Sequence, residues 1–279
     1  MLKLKPLAEK DASPSVQQIY AEFKKAFDIQ SVPLFIQYLG AFPQYLKYLR
    51  EPLLQNIRNH ENKKTISETG EFVIETLAES FSKGPRMQAF LTVNQFRPEM
   101  VNLKDDLKHI AQINATLAHI FIALRESIKG FAVAAKQIGS AKQEETIKEN
   151  LAEKSDLVYG QDLYFQSSPP EKSLVQKLTG IVRRESGITK SPLPEYLQIS
   201  REEFEELLKQ QRLLFLRVEL EKIILRNIQT LNTPIISPIN VVLELTKEYP
   251  NFVDLLYLLS DSFPSLAVQR LLYSSWIIY

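Results

Sequence analysis

Few side chains in this sequence are equipped for chemistry. No cysteine occurs among the 279 residues, which removes thiol nucleophiles, redox pairs, disulfides and cysteine-ligated metals together. The histidines are His60, His109 and His119, with no HExxH or HxxxH pattern, so their spacing implies no metal centre. G-x-S-x-G is absent, which leaves a hydrolase nucleophile elbow unsupported. Arg125 follows Ile120-Phe121-Ile122-Ala123-Leu124 and could hold a substrate carboxylate, or snorkel from a packed helix. Asp261 lies in the apolar run Leu258-Leu259-Ser260-Asp261-Ser262-Phe263-Pro264. Such a carboxylate reads either as a helix N-cap or as a pocket group with a raised pKa. Tyr38 and Tyr196 each precede a leucine and either line a cleft or pack in a core.

Composition narrows the field further. Eight glycines, with no G-x-G and no GxxxxGK, point away from phosphate-cradling loops and dinucleotide turns. The balance of 34 Lys+Arg against 33 Asp+Glu leaves a net charge of +1, so no nucleic-acid partner is expected. A hydrophobic share of 44% is that of an ordinary globular protein. The opening MLKLKPLAEKD lacks the apolar centre of a secretory signal. The strongest apolar stretches, 115–124 and 255–259, fall short of the roughly 20 residues a bilayer needs. The expectation is a cytoplasmic protein without a membrane partner or a metal centre.

The elements that position these residues read as helices throughout. Ser13-Pro14 opens a stretch with Val16, Ile19, Tyr20, Phe23 and Phe27 on one face, and Ser237-Pro238 repeats the start signal before Val241, Val242 and Leu245. Pro43 begins a run with Tyr45, Leu46 and Leu49 apolar, which Pro52 should break or kink. The longest helix is expected over 201–229, with Phe204, Leu207, Leu208, Phe215, Val218 and Ile223 inward. Alternation of strand type never persists, so the fold class is all-α.

Self-comparison suggests a duplication. Val16-Gln17-Gln18-Ile19 is echoed by Val175-Gln176-Lys177-Leu178, Gln37-Tyr38-Leu39 by Glu195-Tyr196-Leu197, and Asn102-Leu103 by Asn251-Phe252. Two tandem helical repeats, 1–128 and 161–279, are expected to flank a charged linker at 129–160 and to pack as a pseudo-dimer with a cleft between them. The stretch DLYFQS at 162–167 resembles a protease-tag remnant but stands where 3–8 stands before the first repeat, so it reads as native. The apolar end Leu271-Leu272-Tyr273-Ser274-Ser275-Trp276 through Tyr279 either docks as a closing helix or forms the patch of a homodimer.

Three words carry a family resemblance: Ile19-Tyr20-Ala21-Glu22-Phe23, then Val32-Pro33, then Phe42-Pro43-Gln44-Tyr45-Leu46. With Asn114 through Ala123-Leu124-Arg125-Glu126-Ser127, they resemble the DehI-type (group I) 2-haloacid dehalogenases. The resemblance implies an all-helical protein of two repeats with a buried site and no metal or cofactor. Halide would leave a 2-haloalkanoic acid by direct attack of water. An aspartate of the second repeat would activate that water and an asparagine closing the first would hold it. Such chemistry needs a base in a dry pocket and an amide to orient the water.

Asn114 stands where that amide belongs, and on its own residues it also reads as an N-cap. The aspartate's place is taken by Leu193, in Ser191-Pro192-Leu193-Pro194-Glu195. Glu195 and Asp261 are the candidate replacement bases. Phe35, Tyr38, Arg125, Leu193 and Tyr196 are the candidate substrate contacts. Two functions follow: hydrolysis of a small 2-haloacid in a buried carboxylate pocket, or a non-catalytic ligand-binding or interaction protein that has kept the fold.

Overall fold

The computed structural model describes residues 4–131, 133 and 192–279, and every regular element among them is helical. The linker expectation beyond 133, the echo at 175–178 and the stretch 162–167 lie outside the described residues. The α-helices are α1 (Pro14–Phe27), α2 (Leu34–Gly40), α3 (Pro43–Arg58), α4 (His60–Ser80), α5 (Pro85–Asn94), α6 (Pro98–Ile128), α7 (Leu193–Leu207), α8 (Gln211–Asn227), α9 (Ile239–Glu248), α10 (Phe252–Tyr257) and α11 (Phe263–Ile278). A π-helical turn, Leu258–Ser262, joins α10 to α11.

Two compact units share these helices. The first takes Met1–Thr65, His119–Phe165 and Ile224–Ser265; the second takes Ile66–Ala118, Gln166–Ile223 and Leu266–Tyr279. In the first, α1, α2 and α3 pack together. The period-3.6 face read from the sequence is the buried one: Val16, Ile19, Tyr20, Phe23 and Phe27 are all in the core. Gly40 closes α2 against the ring of Tyr20, where an added Cβ would meet the hydroxyl at 1.8 Å. That hydroxyl donates to the Leu7 carbonyl at 3.0 Å, so the ring cannot simply step aside. Across α1 and α3, Arg50 grips Glu22 with two bonds of 2.7 and 2.6 Å.

Pro52 does not interrupt α3. Helical structure runs from Pro43 to Arg58, and the freed local geometry is followed by Asn56, whose amide donates to the Pro52 carbonyl at 2.9 Å. Asn56 also donates to the Thr233 carbonyl at 2.7 Å and accepts from the Thr233 N–H at 3.0 Å, tying the strap before α9 to α3. At the helix junction Asn59 is extended, and its side-chain oxygen accepts the Asn62 N–H at 3.0 Å, capping α4.

Two helix expectations are corrected. The stretch 201–229 is not one helix, because α7 ends at Leu207 and α8 begins at Gln211. The break resets the phase, so Leu213, Leu216, Leu220 and Ile224 face inward. Phe215 and Val218, expected inside, are 62% and 51% exposed. Conversely, α6 runs unbroken through position 114 and is the longest element described. In the second unit α5 packs on α7, and the end of α11 is docked: Leu271, Leu272, Trp276 and Ile277 are all buried.

Candidate functional site

Each unit holds part of the candidate set. In the first, Phe35 and Tyr38 lie on α2, with Phe35 buried and Tyr38 half-buried. Their rings face an aromatic chain: Phe27 to Phe35 at 6.4 Å, Phe35 to Phe121 at 5.0 Å, Phe121 to Phe263 at 5.2 Å and Tyr38 to Phe263 at 6.0 Å. The partly edge-on geometry is that of favourable aromatic pairs. Burial pushes the Tyr38 hydroxyl above its ordinary pKa, so it remains a neutral donor at physiological pH. Arg125 stands one helical turn beyond Phe121 on the same face of α6. Its Nε donates to Glu126 at 2.8 Å, and both side chains are largely enclosed. The Arg125 guanidinium is therefore already answered by a carboxylate of its own helix.

Asp261 caps no helix. It lies in the π-helical turn, and Phe263 continues in helical geometry, so no helix start exists there for it to cap. Pro264 supplies the physical reason: it has no N–H to offer the carbonyl one turn earlier, and the widened turn absorbs the missing bond. The carboxylate is exposed to water, outside any apolar enclosure.

In the second unit, Asn114 is likewise no N-cap, because α6 starts at Pro98 and nothing in the intervening residues breaks it. Its side chain is buried, and its amide donates to Ser274 Oγ at 3.1 Å and to the Arg270 carbonyl at 3.4 Å, both on α11. Leu193, Glu195 and Tyr196 lie in the first turn of α7. Leu193 and Tyr196 are buried, whereas Glu195 is exposed. Residues two apart on a helix point to opposite sides, so Glu195 cannot present its carboxylate where Leu193 presents a side chain. Tyr196 stacks near Phe90 at 5.9 Å and donates to the Ile277 carbonyl at 2.5 Å. Burial raises its pKa to about 12.

One group escaped the sequence reading. Lys83, in the connection between α4 and α5, is 8% exposed; its Nζ donates to the Trp276 carbonyl and sits 3.7 Å above the Trp276 ring. Burial pushes its pKa down to about 7, against a smaller upward pull from Glu203. Glu203, on α7, is raised by burial, opposed by Lys83 and by the Gly84 and Met87 N–H groups. Nothing in Ser82-Lys83-Gly84-Pro85 distinguishes this lysine from a surface one. Among the described residues, no cluster of three or more His, Asp or Glu side chains could hold a metal. Buried His119 instead meets the Asn227 amide at 3.3 Å. No helix is long and apolar enough to cross a membrane, again among the described residues.

No protein-family profile matches the chain. No curated protein matches it in sequence. Solved structures do match in shape. A D-2-haloacid dehalogenase in complex with L-LA superposes with a TM-score of 0.69 at 12% identity, covering 98% of this chain and 94% of that one. A mutant of such an enzyme gives 0.70 at 11% identity, and a mutant in complex with D-2-CPA gives 0.66 at 12%, with the same coverage. The described residues therefore share the all-helical fold of the D-2-haloacid dehalogenases.

Proposed function

We propose that this protein binds a small 2-substituted carboxylic acid without hydrolysing it. The observation that carries the reading is the placement of the candidate bases: Glu195 and Asp261 are both in water, and the position the resemblance reserves for an aspartate is a buried leucine. A carboxylate in water is a weak base, and losing a positioned general base costs on the order of two to four powers of ten in rate. The likeness to enzymes crystallised with L-LA and D-2-CPA supports a small acid as ligand. Arg125 would meet its carboxylate by exchanging Glu126 for it, and the Phe35, Tyr38, Phe121 and Phe263 rings would supply an apolar wall for its substituent. Calorimetric titration with 2-chloropropionate tests this: saturable binding, weakened at least tenfold in Arg125→Met, is expected.

A second reading, cofactor-independent hydrolytic dehalogenation, is favoured by the 98% coverage of the chain by the dehalogenase fold. Asn114 would then hold the attacking water. Chloride release that disappears in Glu195→Gln or Asp261→Asn would establish it.

A further inference from the structure

The last turn of α6 carries two opposite charges largely out of water. Arg125 lies one turn beyond Phe121, whose ring meets those of Phe35 and Phe263 at 5.0 and 5.2 Å. Its Nε reaches Glu126 Oε1 at 2.8 Å, and the two side chains are only 16% and 14% exposed. The turn that follows fixes the backbone beneath them. Gly130 takes a left-handed φ of 86°, the Phe131 N–H donates to the Glu126 carbonyl at 2.9 Å, and the Gly130 N–H donates to the Ser127 carbonyl at 3.1 Å. Lys129 also approaches the Glu126 carboxylate, at 3.7 Å, but it is half-exposed and water screens its pull.

That pair constrains what can bind beside it. An acid with no second charge would draw Arg125 from Glu126 and leave this partly enclosed carboxylate to Lys129. Removing one partner of an enclosed pair costs far more than the pair itself contributes. The same acid would add net negative charge at the C-terminal end of a 31-residue helix, where the backbone dipole is already negative. An acid with an ammonium beside its carboxylate meets both demands. Its carboxylate takes the Arg125 guanidinium, its ammonium takes Glu126, and four charges alternate in sign with no change in net charge. The ammonium is also the group that a helix C-terminus favours.

We propose that the ligand of this site is an α-amino acid, bound as a zwitterion with its carboxylate on Arg125 and its ammonium on Glu126. The assignment rests on the acid-binding reading above and names the substituent at position 2 of that acid. Binding exchanges one enclosed ion pair for two. The amino-acid side chain then lies toward Phe35, Tyr38, Phe121 and Phe263, which present ring surface to it. Apolar side chains are therefore selected over charged ones.

Calorimetric titration of the full-length protein with alanine, 2-chloropropionate and propionate tests the assignment, because the three share a carboxylate and a carbon chain and differ only at position 2. Alanine is expected to bind about tenfold more tightly than either of the others, or better, as a charge-assisted hydrogen bond to Glu126 implies. In Glu126→Gln that advantage is expected to vanish, while 2-chloropropionate binds no more weakly than in the wild type. A further ligand needs no variant to fold: alanine amide keeps the ammonium but lacks the carboxylate, and is expected to bind the wild type about tenfold more weakly than alanine. Binding of 2-chloropropionate as tight as that of alanine would overturn the proposal and leave the acid-binding reading standing. An alanine advantage that survives in Glu126→Gln, or alanine amide binding as well as alanine, would also overturn it. No heat from any of the three acids would overturn both.

Discussion

Truncating Asn114 to alanine separates what this residue does for the fold from what it does for a ligand. Its amide is buried and donates to Ser274 Oγ at 3.1 Å and, at a longer 3.4 Å, to the Arg270 carbonyl. Neither acceptor is orphaned by the change, because Ser274 Oγ keeps its own bonds to the Arg270 and Leu271 carbonyls at 2.9 and 3.1 Å. The cost is then one good neutral hydrogen bond, about 1 kcal/mol, and a small cavity of similar cost. About 2 kcal/mol in total should lower the Tm by roughly 4–8 °C in a chain of this size. Urea unfolding followed through Trp276 emission measures it, since that ring lies on the same helix as Ser274. Asn114→Asp should cost more, because it turns a carboxylate toward a backbone carbonyl. A loss above about 4 kcal/mol for alanine would refute the reasoning and make Asn114 a keystone of the packing of α6 on α11.

Gly40→Ala should destabilise by about 1–3 kcal/mol, because the new Cβ meets the Tyr20 hydroxyl and ring carbon at 1.8 and 2.8 Å; pairing it with Tyr20→Phe should recover part of the loss in the same denaturation assay. Asn56→Leu should cost about 3 kcal/mol, since it strands both the N–H and the carbonyl of Thr233, whereas an exposed control such as Gln198→Ala should cost less than 0.5. Stability should also depend on pH, with the sign of acid unfolding but in an alkaline window. Lys83 binds its proton more weakly folded, at about 7, than unfolded, at 10.5, so stability rises with pH between those values and is flat in this group below 7. About 2–3 kcal/mol should be gained from pH 7 to 9 and be absent in Lys83→Met. Above pH 10 the trend should reverse, because buried Tyr45, Tyr196 and Tyr273 hold their protons to about 12 when folded and lose them near 10 when unfolded.

Local periodicity made much of the fold legible. The α1 face, the Pro43 start of α3 and the all-helical class follow from apolar spacing and proline placement, which act within one or two turns. The break between α7 and α8 was not legible, because Leu208-Lys209-Gln210 contains no glycine or proline and the stop is imposed by packing. Misplacing it put Phe215 and Val218 on the wrong face. Asn114 was found, but as a helix start, since a buried amide within a long helix and an N-cap look alike in one dimension. The exposure of Glu195 beside buried Leu193 and Tyr196 is a matter of helical phase and becomes visible once α7 is placed. Lys83 had no sequence signal, for its surroundings include α11, almost two hundred residues away.

The most direct test of the functional account combines calorimetry and chloride detection on one sample of protein mixed with 2-chloropropionate. The account predicts saturable heat of binding, lost in Arg125→Met, with chloride release no faster than in Asn114→Ala. Chloride release above that control, abolished by Glu195→Gln or Asp261→Asn, would contradict it, and so would the absence of any binding heat.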